Sequence, residues 1–146
     1  MKAFIVFSGL LVLCVSCMVY QADAMWYVHD QRHLKAAAEE AACQAVLCLD
    51  EEAYGEGMYK FDYENAEEYA RRYLASAQGG LKARIAGEPE YRISFEDDVC
   101  GYSLANAEKN PSVVVEAALE TEDMFRLPAL TKRGISAEAR YEIKRQ

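Results

Sequence analysis

Between Ala3 and Ala22 the chain carries no charged side chain, and no other feature limits its folding so strongly. The heart of that run, AFIVFSGLLVLCVSCMVY from Ala3 to Tyr20, is 18 uncharged and mostly apolar residues. As a helix it spans about 27 Å at 1.5 Å per residue, close to the roughly 30 Å of a bilayer core. A single segment in lipid must satisfy its own backbone, so helix is the state it has to take. Only Lys2 and the amino terminus precede the run, while Asp23 and Asp30 follow it, which favours the N-terminus inside and the bulk of the chain outside. Tyr20, Trp26 and Tyr27 stand where an interfacial aromatic belt is expected. Ala22-Asp23-Ala24 also has the small-x-small form of a signal-peptidase site, so cleavage after Ala24 and secretion is the alternative. Lipid attachment fits less well, because Leu13 before Cys14 is large and Cys14 stands where an aliphatic residue should precede Cys17. Residues 1–22 are thus an anchor or signal segment, and 23–146 an extracytoplasmic domain.

The apolar run changes how the composition reads. Hydrophobic residues make up 52% of the 146, and the formal net charge is −8; without Lys2 the remainder carries −9. Such a domain does not track nucleic-acid phosphates, which takes a basic surface. Its length permits one modest core. Of the five cysteines, Cys14 and Cys17 belong to the apolar run and pack as small hydrophobes. Cys43, Cys48 and Cys100 lie where a disulfide persists. Five residues on a helix separate Cys43 and Cys48 onto different faces, so a bridge from either of them to Cys100 is the more plausible pairing. Buried free thiols are the equal alternative.

Asp23 to Leu49 lacks Gly and Pro and is alanine-rich, which predicts a helix continuous with the membrane segment. Leu34, Ala37, Ala38, Ala41, Ala45 and Cys48 give it a narrow stripe of small residues. Asp50 to Glu64 reads as an acidic loop; the window Asp50–Ala70 holds eight acids against Lys60. A second, shorter helix is predicted from Asn65, with Glu68 completing a capping-box pattern, an apolar face of Ala66, Tyr69, Ala70, Tyr73 and Leu74, and Gly79-Gly80 as its end. The period then changes to two. Tyr91, Ile93 and Phe95 alternate with polar residues, Ser112–Glu120 follows with one apolar face, and Ile135, Ala137, Ala139, Tyr141 and Ile143 make the clearest alternation. Asn110-Pro111 and Gly134 supply turns, and Leu81–Ile85 offers a fourth strand. The expected fold is α+β: a long N-terminal helix, a short one, then an antiparallel sheet of three or four strands.

His29 and His33, four apart with an acid after the first, match the zinc-peptidase spacing. Asp30 is a methylene shorter than the glutamate that must reach the metal-bound water, and the chain has no further histidine as a third ligand. The segment therefore reads as a solvated helix face, with a membrane-proximal metallopeptidase as the remote alternative. Asp50, Glu52 and Gly55 loosely resemble a calcium loop, but Phe61 occupies the position of the terminal bidentate glutamate. A ligand- or cation-binding module built on residues 50–70, with its tyrosines, is the second functional reading. There is no nucleophile–base pair, phosphate-cradling glycine loop or cofactor fingerprint in the sequence. No catalysis, cofactor or small-molecule substrate is expected.

Asp23, Trp26-Tyr27, Leu34, Ala37-Ala38-Glu39 and Ala41-Ala42, with Arg32 and Lys35 as basic positions, resemble the helical signature of TadE/TadG-like proteins of tight-adherence (Flp) pilus systems. VVVEAALETEDMFRLPAL followed by GISAEARYEI is similar to that family's strand, Phe-x-Leu-Pro segment and final I-x-A-x-A strand. The chain departs from the pattern at Met25 and Lys35-Ala36, and it has no acid before Asp23 where pseudopilins carry a glutamate. The resemblance implies a pilin-like fold and a membrane-anchored minor pseudopilin or assembly factor. Its partners would be the membrane and other pilus or secretion-system proteins, with no nucleic acid. It also implies that Asp23, Tyr27, Leu34, Ala37, Ala38, Ala41 and Ala42 carry the packing of the juxtamembrane helix.

Overall fold

The computed structural model describes residues 2–82, 84–122 and 133–145. One helix, α1, runs unbroken from Lys2 to Val46 over 45 residues, about 67 Å at the standard rise. Its two halves live in different surroundings. The apolar half is bare: Phe4, Ile5, Phe7, Leu10, Leu13 and Met18 are all exposed, and none of its most apolar 18-residue window is buried. This stretch is long and apolar enough to cross a membrane. The second half buries Asp30, Leu34, Ala37, Ala38, Ala41, Ala42, Ala45 and Val46 against the rest of the chain.

The helix ends at Val46, three residues before the expected Leu49. Leu49 instead forms a bridge with Phe61, and Asp50 turns to cap a short helix, α2 (Glu51–Gly55). Asp50 Oδ1 accepts from Glu52 N–H (3.1 Å) and Ala53 N–H (3.2 Å). The expected loop is thus partly helical, and Gly57, at φ +84°, makes the turn that leaves α2. The next helix, α3 (Tyr63–Ala77), starts on Asp62 rather than Asn65: Asp62 Oδ1 accepts from Asn65 N–H (3.2 Å), and Asn65 Nδ2 donates to Asp62 Oδ2 (2.6 Å). Its buried seam is Ala66, Ala70 and Leu74, at a strict four-residue spacing. Tyr69 and Tyr73, expected on the apolar face, are exposed, because close approach to α1 leaves room only for the small-residue stripe. A 3-10 turn at Gln78–Gly80 ends this layer.

Four strands follow: β1 (Arg84–Ile85), β2 (Glu90–Glu96), β3 (Ser112–Glu122) and β4 (Arg133–Glu142), in one antiparallel sheet. The fold is α+β. The central strand is β3, with β1 and β2 along one side and β4 on the other. Between Ile85↔Thr121 and Glu90↔Ala118, residues 86–89 lie opposite only Leu119 and Glu120, a bulge at Gly87-Glu88-Pro89. Gly134 is not a turn; it lies within β4, opposite Glu120. The Phe125–Pro128 segment of the family pattern lies outside the described residues. Helices α1 and α3 pack on one face of the sheet, where Val113, Val115, Ala117, Leu119, Ile135 and Ala139 meet the alanines of α1, with Phe61 and Leu74 closing the core. Tyr141, on the strand outside β3, stays exposed.

Candidate functional site

The residues that the sequence singled out lie along α1, and the structure divides them. Leu34, Ala37, Ala38, Ala41 and Ala42 are buried in the chain's own helix–sheet and helix–helix contacts. Their small side chains let α1 approach both β4 and α3. Asp23 and Tyr27, nearer the apolar half, are half-buried, and Tyr27 packs against the edge of the core.

Between them lies a joint. Asp30 is 1% exposed, so the expected solvated face holds at His29, Gln31 and Arg32 but not at Asp30. Its Oδ1 accepts from Lys82 N–H (2.8 Å) and lies 3.0 Å from His29 Nδ1. This carboxylate ties α1 to the chain segment that enters β1. Three residues on, the His33 ring lies so close to Gly80 that a methyl group there would overlap it, and His33 Nδ1 is buried without a hydrogen-bond partner. The two imidazoles stack with centroids 6.2 Å apart. Among the described residues no group of three or more His, Cys, Asp or Glu is placed to hold a metal ion. On the outer side of the same turns, Ala24, Met25, Val28, His29, Arg32 and His33 line an open groove of about 650 Å³.

At the far end of α1 several acids are structural. Asp50 caps α2 and holds Lys60 Nζ at 2.7 Å, which lowers its carboxyl pKa and raises that of the lysine. Asp62 caps α3. Three consecutive acids, Glu96-Asp97-Asp98, bind the segment after β2 to the body. Glu96 Oε2 accepts from Asn106 Nδ2 (2.8 Å), Ser112 Oγ (3.1 Å) and an Arg140 guanidinium nitrogen (2.7 Å). Asp97 accepts from Cys100 N–H (2.7 Å), Val99 N–H (3.0 Å), Phe61 N–H (3.1 Å) and the Tyr63 hydroxyl (2.7 Å). Asp98 accepts from Tyr59 N–H (3.0 Å), the Tyr102 hydroxyl (2.8 Å) and Arg145, whose guanidinium also lies over the Tyr59 ring. Burial opposes the charge on all three, yet these donors outweigh it and hold each below the usual carboxylate range. Burial, with the Asp98 hydrogen bond, pushes Tyr102 up to about 12. The sequence reading missed this triad. Its only signal was the turn pattern Asp97-x-x-x-Gly101, where Gly101 sits at φ +89° and its N–H donates to Asp97 O (2.9 Å).

Cys43, Cys48 and Cys100 are free thiols in the structure. Burial pushes the Cys48 thiol up, and Cys100 Sγ lies 3.4 Å from the Tyr63 hydroxyl. Compared with protein-family models, curated proteins and solved structures, the chain matches none.

Proposed function

We propose that the chain is a membrane-anchored, extracytoplasmic assembly component of a tight-adherence-type pilus or secretion system, minor-pseudopilin-like, acting by protein–protein contact and without chemistry. The observation that supports this most is the division of α1. Its apolar half is bare while its other half is fixed in a folded domain, so a rigid helix joins the two without a linker. That arrangement suits a subunit that must present a domain at a set height and orientation above a bilayer. A bare apolar helix also packs laterally on other membrane helices through small residues such as Gly9 and Ser8. Of the acids that a cation-binding module on residues 50–70 would use, Asp50 and Asp62 are occupied as helix caps.

The test is membrane retention coupled to assembly in the native cell. Wild type stays in the membrane pellet through alkaline extraction, with an intact mass that retains residues 1–22. Val12→Arg with Leu13→Arg releases the protein and abolishes assembly of the surface apparatus. If the released variant still supports assembly, the anchored role is wrong; a mass beginning at Met25 replaces it with a secreted one.

A further inference from the structure

The groove on α1 just beyond the apolar segment is graded in character along the helix. Ala24, Met25 and Val28 form its end nearest the apolar half; His29, Arg32 and His33 form the other. Met25 is 72% exposed and Val28 44%, so this apolar wall is uncovered. No acid lines the groove among the described residues. Asp30 stands behind His29, turned inward to Lys82 N–H, and is almost fully buried.

Helical side chains lean toward the helix N-terminus, which here is toward the apolar segment. Arg32 lies about 15 Å along the axis from Ala22, and a leaning arginine reaches several ångströms back from there. Its guanidinium thus comes to about 8 Å above the level of Ala22, at the outer edge of a headgroup layer about 5–7 Å thick on each side of the hydrocarbon. A guanidinium is the side chain best shaped to hold a phosphate by two parallel hydrogen bonds. Beside it, the His29 side chain is 47% exposed and turns its free ring edge to the groove.

We propose that this groove is a headgroup site for an anionic phospholipid of the anchoring bilayer. The phosphodiester sits against Arg32 and the exposed edge of His29, and an acyl chain lies along Val28, Met25 and Ala24. The inference rests on the anchored reading above. The occupant follows from continuity: the groove is the direct extension of the face that the apolar segment would turn to lipid, and its sole fixed charge is positive.

Trp26 is the chain's single tryptophan and lies beside the groove, so it reports which lipids surround it. The full chain is reconstituted in phosphatidylcholine vesicles containing either brominated phosphatidylglycerol or brominated phosphatidylcholine at equal mole fraction. Quenching of Trp26 is expected to show about fivefold enrichment of the anionic lipid, the effect of one basic residue at a membrane surface. Arg32→Gln, at an exposed position, removes the preference, while Lys35→Gln, outside the groove, keeps it. Equal quenching by both lipids, or equal loss in the two variants, overturns the site. Loss of the preference in millimolar inorganic phosphate overturns the lipid as its ligand in favour of free phosphate. Absence of quenching by either lipid shows that the chain is not inserted, and the anchored reading falls with it.

Discussion

Four donors converge on Asp97: the N–H groups of Phe61, Val99 and Cys100, and the Tyr63 hydroxyl. With Glu96 and Asp98 beside it, this carboxylate fixes the segment after β2 to both the helical layer and the C-terminal end. Because all three folded pKa values lie below the unfolded ones, their stabilisation is complete above the ordinary carboxylate range and is lost as pH falls through the depressed folded values. Thermal melts should therefore be flat from neutral pH to about 5 and fall below about 4. Asp97→Asn should cost about 2 kcal/mol at neutral pH, since buried donors lose a charged acceptor, and should flatten the acid limb. A variant with an unchanged pH profile would show that the triad is not what acid breaks. At the other end of the fold, Gly80→Ala drives a methyl group into His33, whose ring is held between Gly80 and α1. It should cost about 1–3 kcal/mol in chemical denaturation, and His33→Ala should largely rescue it. Asp97 did not stand out in the sequence, and Asp30 stood out only as the acid of a metal-site spacing and not as an anchor, for one physical reason. A polar anchor is one residue meeting backbone donors from distant segments, as Asp30 meets Lys82, so it leaves no period to read.

The elements themselves were largely legible, because period does carry that information. The alternation in Ser112–Glu120 and Ile135–Ile143 places Val113, Val115, Ala117, Leu119, Ile135 and Ala139 on one buried face, as the structure has them. Helix ends were read less well. Asn65 carries the capping-box spacing, yet Asp62 sits where the chain must leave the Leu49–Phe61 bridge, and the tertiary constraint decides between them. Tyr69 and Tyr73 were misplaced because helix periodicity gives a face but not its width, and an alanine seam is narrow. Strand register, which depends on pairing, was also invisible. It sets Glu116 directly opposite Glu138 on the sheet face away from the helices. Ile143 N–H donates to Pro111 O (2.8 Å), so the even-numbered residues of β4 form the non-hydrogen-bonded pairs with β3, in which side chains come closer. Arg92, at 3.9 Å from Glu116, relieves only one of the two. Glu138→Lys converts a repulsive pair into an attractive one and should stabilise the domain by about 0.5–1 kcal/mol at low salt, the gain shrinking as salt is added. A loss of stability would mean that the register on this face is wrong.

At the scale of the molecule, charge and apolarity are separated along α1. Its bare half carries no charge from Ala3 to Ala22, and the acidic window Asp50–Ala70 begins just past its opposite end. That polarity was readable from the order of residues alone, because a continuous helix turns sequence distance into spatial distance. The structure adds how little the two halves touch each other. The first buried residue of α1 is Asp30, and the core it opens is made by residues from Leu34 to Ala139. The exposed apolar segment therefore adds no core contact. A chain beginning at Asp23 keeps Asp30, His33, the alanine seam and every strand, losing only helix that touches nothing in the domain. It should fold with a melting temperature within a few degrees of the full chain in detergent and remain soluble, with the molar helical signal in circular dichroism lower by about one third, as the lost turns require. Should it fail to fold, the bare half must contribute to the domain through association with another copy or with lipid, and the division of α1 into a bare apolar half and a core half would no longer describe how the protein is stabilised.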